Sequence, residues 1–292
     1  MSKVNEALDK LDLVSLKLDG YIVLGPLHGG MDNENYLIQA HDQKYILYLP
    51  TQGCNDLVNR KAEHINLKVI SDLGISNASV YHDDESGIKI NTYIEGLSLD
   101  KSQGRPYQKV SDVLKKLHQS QIKLYSDYNP FLRLDDYEKQ VRSKGVAIQK
   151  SYEGLRNSLN TYREYLESQA KVPAHNDAQP SNFVENENGV YLIDFEFAAN
   201  NDWVYDVACF GNITFQDALN LLKVYDTTNN KDYLKRLYLW RIFQCLQWYN
   251  VALLKFGEGL NATSGFDFKK VAQDYLQLGL TLAQDFAAKF KE

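Results

Sequence analysis

The stretch from Val172 to Phe197 interrupts an otherwise helix-patterned second half of the chain, and it contains its own reversal. Within it, FVENENGVYLIDF sets Asn188-Gly189 between two apolar runs, the residue pair that favours a two-residue β-hairpin. A hairpin there returns the acidic end of the second run toward the polar segment that precedes the first. Any fold for this chain must therefore hold a small β island inside a helical region.

The front of the chain is patterned differently. Residues 4–15, VNEALDKLDLVS, read as a short amphipathic helix. After Gly20 come three short apolar runs, YIVLGPL, NYLIQA and KYILYLP, with a hairpin connection at His41-Asp42-Gln43. From Leu57 the period becomes helical, with Val58, Ala62, Ile65, Val69 and Leu73 on one face and Gly74 as a stop. SVYH and GIKINTYI follow as two further strands around DDESG. The reading is a five-stranded antiparallel sheet with one helix inserted after the third strand. Gly96 and LSLDKSQGRPYQ read as a connector. Beyond it, Val110, Val113, Leu114 and Leu117 share a helix face, and helical patterning resumes over 134–168, 231–257 and 267–289. The class is α+β, with a first lobe over residues 1–95 and a mainly helical second lobe over 96–292.

Charge and cysteine usage exclude several functions. There are 32 Lys plus Arg against 38 Asp plus Glu, a formal net charge of -6 without a basic stripe, so no nucleic-acid partner is expected. Cys54, Cys209 and Cys245 are isolated, which gives neither a disulfide framework nor a CxxC metal pair. Met1 to Lys17 mix charges with leucines, unlike a signal peptide, and no run approaches the roughly 20 apolar residues of a membrane helix. No membrane insertion and a cytoplasmic location are expected.

The polar segment before the hairpin reads Ala174-His175-Asn176-Asp177-Ala178-Gln179-Pro180-Ser181-Asn182-Phe183. A loop with Asp177 and Asn182 five residues apart can aim both side chains into one pocket, and Asp194 returns to it across the hairpin. Singly, Asp177 reads as a turn or cap residue, Asn182 as loop composition and Asp194 as a strand-end acid. Together, behind a sheet-rich lobe, they read as phosphotransfer: a carboxylate to orient a hydroxyl and take its proton, and hard oxygen ligands for magnesium on ATP. Gly29-Gly30, between the first two strands, allow backbone amides to approach phosphate oxygens, or form a plain hairpin turn.

HNDAQPSNF followed by YLIDFEF resembles the paired motifs H-x-D-x-x-x-x-N and I-D-F-E of choline and ethanolamine kinases, including LicA-like bacterial members. The likeness extends through GPLHGGMDNENYL and LVNRKAEHINLKVISDLGI into the later helices. It implies a bilobal protein-kinase-like fold, with ATP and Mg2+ as cofactors and a small amino alcohol, choline first, as acceptor. By this resemblance Asp177 is the catalytic base, and Asn182 and Asp194 bind magnesium, with Glu196 assisting metal or substrate. His175 braces the loop, and Asp206, in DWVYDVACF, anchors it from the next helix. Gly29, Gly30, Asn33 and Glu63 belong to the nucleotide side.

The resemblance also implies a basic residue on the third strand, paired with Glu63. In KYILYLP that position holds Tyr48, a phenol that carries no positive charge. Compensation by Lys44, Arg60 or Lys61 and a kinase-like protein that binds without catalysing both stay open. For the acceptor, Trp248 matches a choline-pocket tryptophan, Cys245 stands at a companion aromatic position, and Phe266 and Tyr275 are further candidates. Gln179 and Glu196 are the polar contacts. A thinner aromatic wall leaves ethanolamine, thiamine or another small metabolite as alternatives.

Overall fold

The computed structural model describes residues 3–27, 33–50, 58–261 and 265–290. The chain divides into two compact units, one comprising Met1–Ser126 and Pro173–Asn200, the other Asp127–Val172 and Asn201–Glu292. The α+β class expected from the patterning is present: one unit is built on a five-stranded antiparallel sheet and the other is helical.

In the first unit, β1 (Ile22–Leu27), β2 (Asn33–Ala40), β3 (Gln43–Pro50), β4 (Ser79–His82) and β5 (Lys89–Thr92) pair in the order β1-β2-β3-β5-β4. The helix α1 spans only Lys3–Leu8, shorter than the amphipathic pattern suggests. Leu8, Leu11, Leu13, Leu16 and Leu18 are spaced too closely for one helical stripe. They pack as turns against Ile38, Ala40, Leu47 and Ile90. Asp12 stabilises this path by accepting from the Ser15 amide at 3.2 Å and its hydroxyl at 2.6 Å. The helix α2 (Arg60–Ser71) is capped by Asn59, whose side chain accepts from the Ala62 amide at 3.0 Å.

The connector around Gly96 is itself structured. Leu97–Ser98 forms β6, which pairs with β8 (Phe183–Asn186), and β8 pairs with β9 (Gly189–Leu192). Gly96 has φ +156°, and a Cβ there would lie 2.5 Å from the Glu185 carbonyl, so the close strand approach requires glycine. The hairpin turn falls one residue earlier than expected: Asn186 pairs with Gly189, leaving Glu187 and Asn188 as the loop. Asn186 sets it by accepting from the Asn188 amide at 2.9 Å. The helix α3 (Tyr107–His118) packs against β9. Within this unit the hairpin is tied to its neighbours through Leu192 N–H to Ile75 O at 2.8 Å and Leu99 N–H to Phe183 O at 2.9 Å. Two short strands, β7 (Val172–Ala174) and β10 (Ala199–Asn201), pair beside it.

The second unit holds α4 (Pro130–Ser143), α5 (Lys150–Asn160), α6 (Arg163–Glu167), α7 (Trp203–Cys209), α8 (Phe215–Tyr225), α9 (Lys231–Gly257) and α10 (Phe268–Lys289). α9 is its central element, with buried residues around most of its circumference, and it packs on α4, α5, α7, α8 and α10. Asp202 caps α7 through the Val204 amide at 3.1 Å and binds Arg236 at 2.6 Å and Trp240 Nε1 at 2.7 Å. Gly279 on α10 lets the helices approach, since a Cβ would lie 3.2 Å from that of Cys245 and 2.9 Å from Leu155. Among the described residues no helix is long and apolar enough to cross a membrane.

Candidate active site

The loop after β7 is shaped by two side chains that spend their polar atoms on backbone. Asn176 takes a left-handed conformation, φ 65°, which asparagine adopts more readily than most residues. Its amide donates to the carbonyls of Phe197 at 3.0 Å and Ala199 at 3.1 Å. His175 is fully buried and lies edge-on to Phe195, with ring centroids 4.5 Å apart. The Asp177 amide donates to its Nδ1 at 3.2 Å, and its Nε2 lies 2.9 Å from the Ile193 carbonyl. Those two contacts assign the hydrogen to Nε2. The imidazole thereby ties the loop to the strand end that carries Asp194.

Pro180–Asn182 closes a single 3-10 turn. Asn182 donates its side-chain amide to the Asp177 carbonyl at 2.9 Å and to Asp177 Oδ2 at 3.0 Å. Gln179 Nε2 donates to the same carboxylate oxygen at 3.1 Å. Asp177 is thus oriented by two amides of its own loop, and the Asn182 nitrogen is committed, which leaves its Oδ1 as the atom to offer a cation. The Asn182 carbonyl also accepts from the Ile193 amide at 2.9 Å, so loop and hairpin end are bonded side by side. Asp194 follows directly, at φ 67°. A metal-ligating role for Asn182 and Asp194 is chemically consistent with magnesium, which takes hard oxygen donors.

Tyr48 and Lys89 are direct register partners across β3 and β5. The Lys89 ammonium lies over the Tyr48 ring, 4.7 Å from its centroid. It contacts Glu63 of α2 at 2.6 Å and Asp194 at 3.5 Å, while Lys89 itself is only 3% exposed. Burial alone would lower the ammonium's pKa, but the carboxylates of Glu63, Asp194 and Glu196 outweigh it and hold it well above the usual lysine range. Burial likewise opposes the charge of Glu63, yet Lys89 and His82 bring its carboxyl down to about 2. His82 Nε2 lies 3.4 Å from the second Glu63 oxygen. Burial pushes the Tyr48 phenol up, so it stays neutral.

Lys89, the cation held against Glu63 and Asp194, is not among the three named for compensation. Lys44 pairs with Glu95, Arg60 reaches the Gly87 carbonyl at 3.4 Å, and Lys61 is exposed. Lys89 was missed because GIKINTY places it between Ile88 and Ile90, where alternation assigns it to a solvated face. Its register opposite Tyr48 is the signal that could have found it.

Of the remaining candidates, Glu196 is half-buried and acts electrostatically on Lys89. Asn33 opens β2 opposite Pro50. Gly29 and Gly30 lie outside the described residues. Trp248 and Asp206 belong to the second unit. Asp206 is fully buried in the first turn of α7. Trp248 is half-buried on α9 and stacks on Tyr275, with centroids 6.2 Å apart and planes 19° from parallel. Cys245 is buried at the contact with Gly279, and Phe266 is 61% exposed.

The family model described as "Phosphotransferase enzyme family" matches residues 23–240. Protein LicA of Haemophilus influenzae is 25% identical over 249 residues, covering 80% of this chain and 74% of that protein. The crystal structure of choline kinase LicA from Streptococcus pneumoniae superposes with a TM-score of 0.75 at 27% identity, over 96% of this chain and 98% of that one. A structure of LicA in complex with AMP gives 0.77 at 26% identity, over 98% and 100%.

Proposed function

Because the chain belongs to the phosphotransferase enzyme family, with LicA-like choline and ethanolamine kinases among its relatives, we propose that it transfers the γ-phosphoryl group of ATP to the hydroxyl of a small amino alcohol, choline first. The observation that carries the reading is the Asp177 carboxylate, oriented by Asn182 and Gln179 in a loop bonded to the segment bearing Asp194. That choice of cosubstrate is supported by the relative solved with AMP.

Asp177 orients the acceptor hydroxyl and takes its proton as the oxygen attacks the γ-phosphorus; the bond to the β–γ bridging oxygen breaks and ADP leaves. Magnesium, held by Asn182 and Asp194 with Glu196 assisting, would neutralise phosphate charge. His175 and Asn176 hold the loop in shape, so the base is positioned before substrate arrives. Residues 1–95 are assigned to the nucleotide, with Gly29, Gly30, Asn33 and Glu63, and residues 96–292 to catalysis and the acceptor. For choline, the Trp248–Tyr275 stack offers aromatic faces to a quaternary ammonium. Gln179 and Glu196 supply polar contacts, and Asp206 acts as a structural anchor.

The test is a magnesium–ATP assay across choline, ethanolamine, thiamine and an aminoglycoside. Choline is expected to be phosphorylated, with Asp177→Asn lowering turnover by about 10²–10⁴-fold while ATP affinity stays within about threefold. Nucleotide binding without transfer to any acceptor would instead support a non-catalytic kinase-like binding protein.

A further inference from the structure

We propose that Lys89 binds the terminal phosphates of the nucleotide, so that the cation sought on β3 is delivered from the facing strand; the inference rests on the phosphotransfer reading above. An ammonium has three N–H donors. Among the described residues Lys89 gives one to Glu63 at 2.6 Å, and a second reaches Asp194 only at 3.5 Å. Capacity for a further oxygen acceptor therefore remains beside a residue assigned to the metal.

The surrounding charge has the matching sign. Glu63, Asp194 and Glu196 all act on Lys89, three carboxylates against one ammonium. Such a cluster disfavours a bare anion. Once a divalent cation is bound at Asp194, the same cluster accepts a metal-bound polyphosphate, with Lys89 contacting its oxygens.

Strand geometry explains how the charge can change strands. Directly paired residues in an antiparallel sheet have Cβ atoms about 5 Å apart on one face. A lysine opposite position 48 thus covers the region that a cation at position 48 would serve. Tyr48 fills the vacated space, and its ring face lies under the ammonium. A neutral phenol adds no competing charge.

Calorimetric binding of ATP, ADP and AMP, each with magnesium, to the full chain tests this. Lys89→Met is expected to weaken ATP and ADP at least tenfold and to leave AMP, which has no β- or γ-phosphate, within threefold. The swap Tyr48→Lys/Lys89→Met is expected to recover at least half of the lost ATP binding free energy. Should Lys89→Met be too unstable to assay, Glu63→Gln/Lys89→Met removes both buried charges and is read the same way. Unchanged ATP affinity, or an equal loss for all three nucleotides with no recovery in the swap, overturns the assignment and leaves Lys89 a purely structural ion-pair partner. Wild-type protein that binds no ATP overturns the phosphotransfer reading itself, a result distinct from both.

Discussion

Replacing Glu63 with Gln would leave the Lys89 ammonium buried, with Asp194 as its close carboxylate partner among the described residues. At an effective dielectric of about 20, the attraction is about 6 kcal/mol across 2.6 Å and about 5 kcal/mol across 3.5 Å. Desolvation offsets several kcal/mol per ion, so neither figure is a net contribution. Removing one partner of a buried pair costs about 3–5 kcal/mol, and the surviving Asp194 contact places this case near 3 kcal/mol. With a urea m-value of about 2 kcal/mol/M, the unfolding midpoint falls by about 1.5 M. Equilibrium urea unfolding at pH 7 measures it. Glu63→Leu/Lys89→Met, which removes both charges, should regain most of the loss. A single variant within about 1 kcal/mol of wild type, or a double variant no better than the single, would refute the charge-pair account.

The same pair predicts a pH dependence. The folded-state pKa of Glu63, about 2, lies below its ordinary value of 4.5, so its stabilisation is full above pH 4.5 and is lost as pH falls toward 2. Urea midpoints at pH 5 and pH 3 should differ less in Glu63→Gln than in wild type. His175→Phe keeps the buried ring but leaves the Asp177 amide and the Ile193 carbonyl without its two hydrogen bonds. Each loss costs about 1–3 kcal/mol, and kcat should fall at least tenfold while the ATP Kd, measured by calorimetry, moves less than threefold.

Several elements were legible because local and tertiary signals agree. The helix over 231–257 has a continuous apolar pattern, and Asn230 caps it through the Asp232 amide at 2.9 Å. The five strands stand out through short apolar runs separated by turn residues, and the spacing of Asp177, Asn182 and Asp194 identified a loop and hairpin that prove to be bonded together. What escaped the sequence depended on partners distant along the chain. Residues 9–15 look helical until the sheet core draws their leucines inward, and Leu97–Ser98 looks like linker until β8 pairs with it. Lys89 reads as a surface lysine because one strand's alternation says nothing about what covers its other face. Here α2 supplies Glu63, and the sheet register supplies Tyr48.

The left-handed turn at Asp194 makes that position doubly selective. Asn would follow the chain's path there but bring no formal charge to a cation, and Gly would follow it with no ligand atom. Glu would restore the charge against a conformational cost of about 1–2 kcal/mol and with a longer reach. Exchanges at this one residue therefore pull apart the bend of the backbone, which aspartate follows at φ 67°, from the grip on an ion that the proposed function assigns to it.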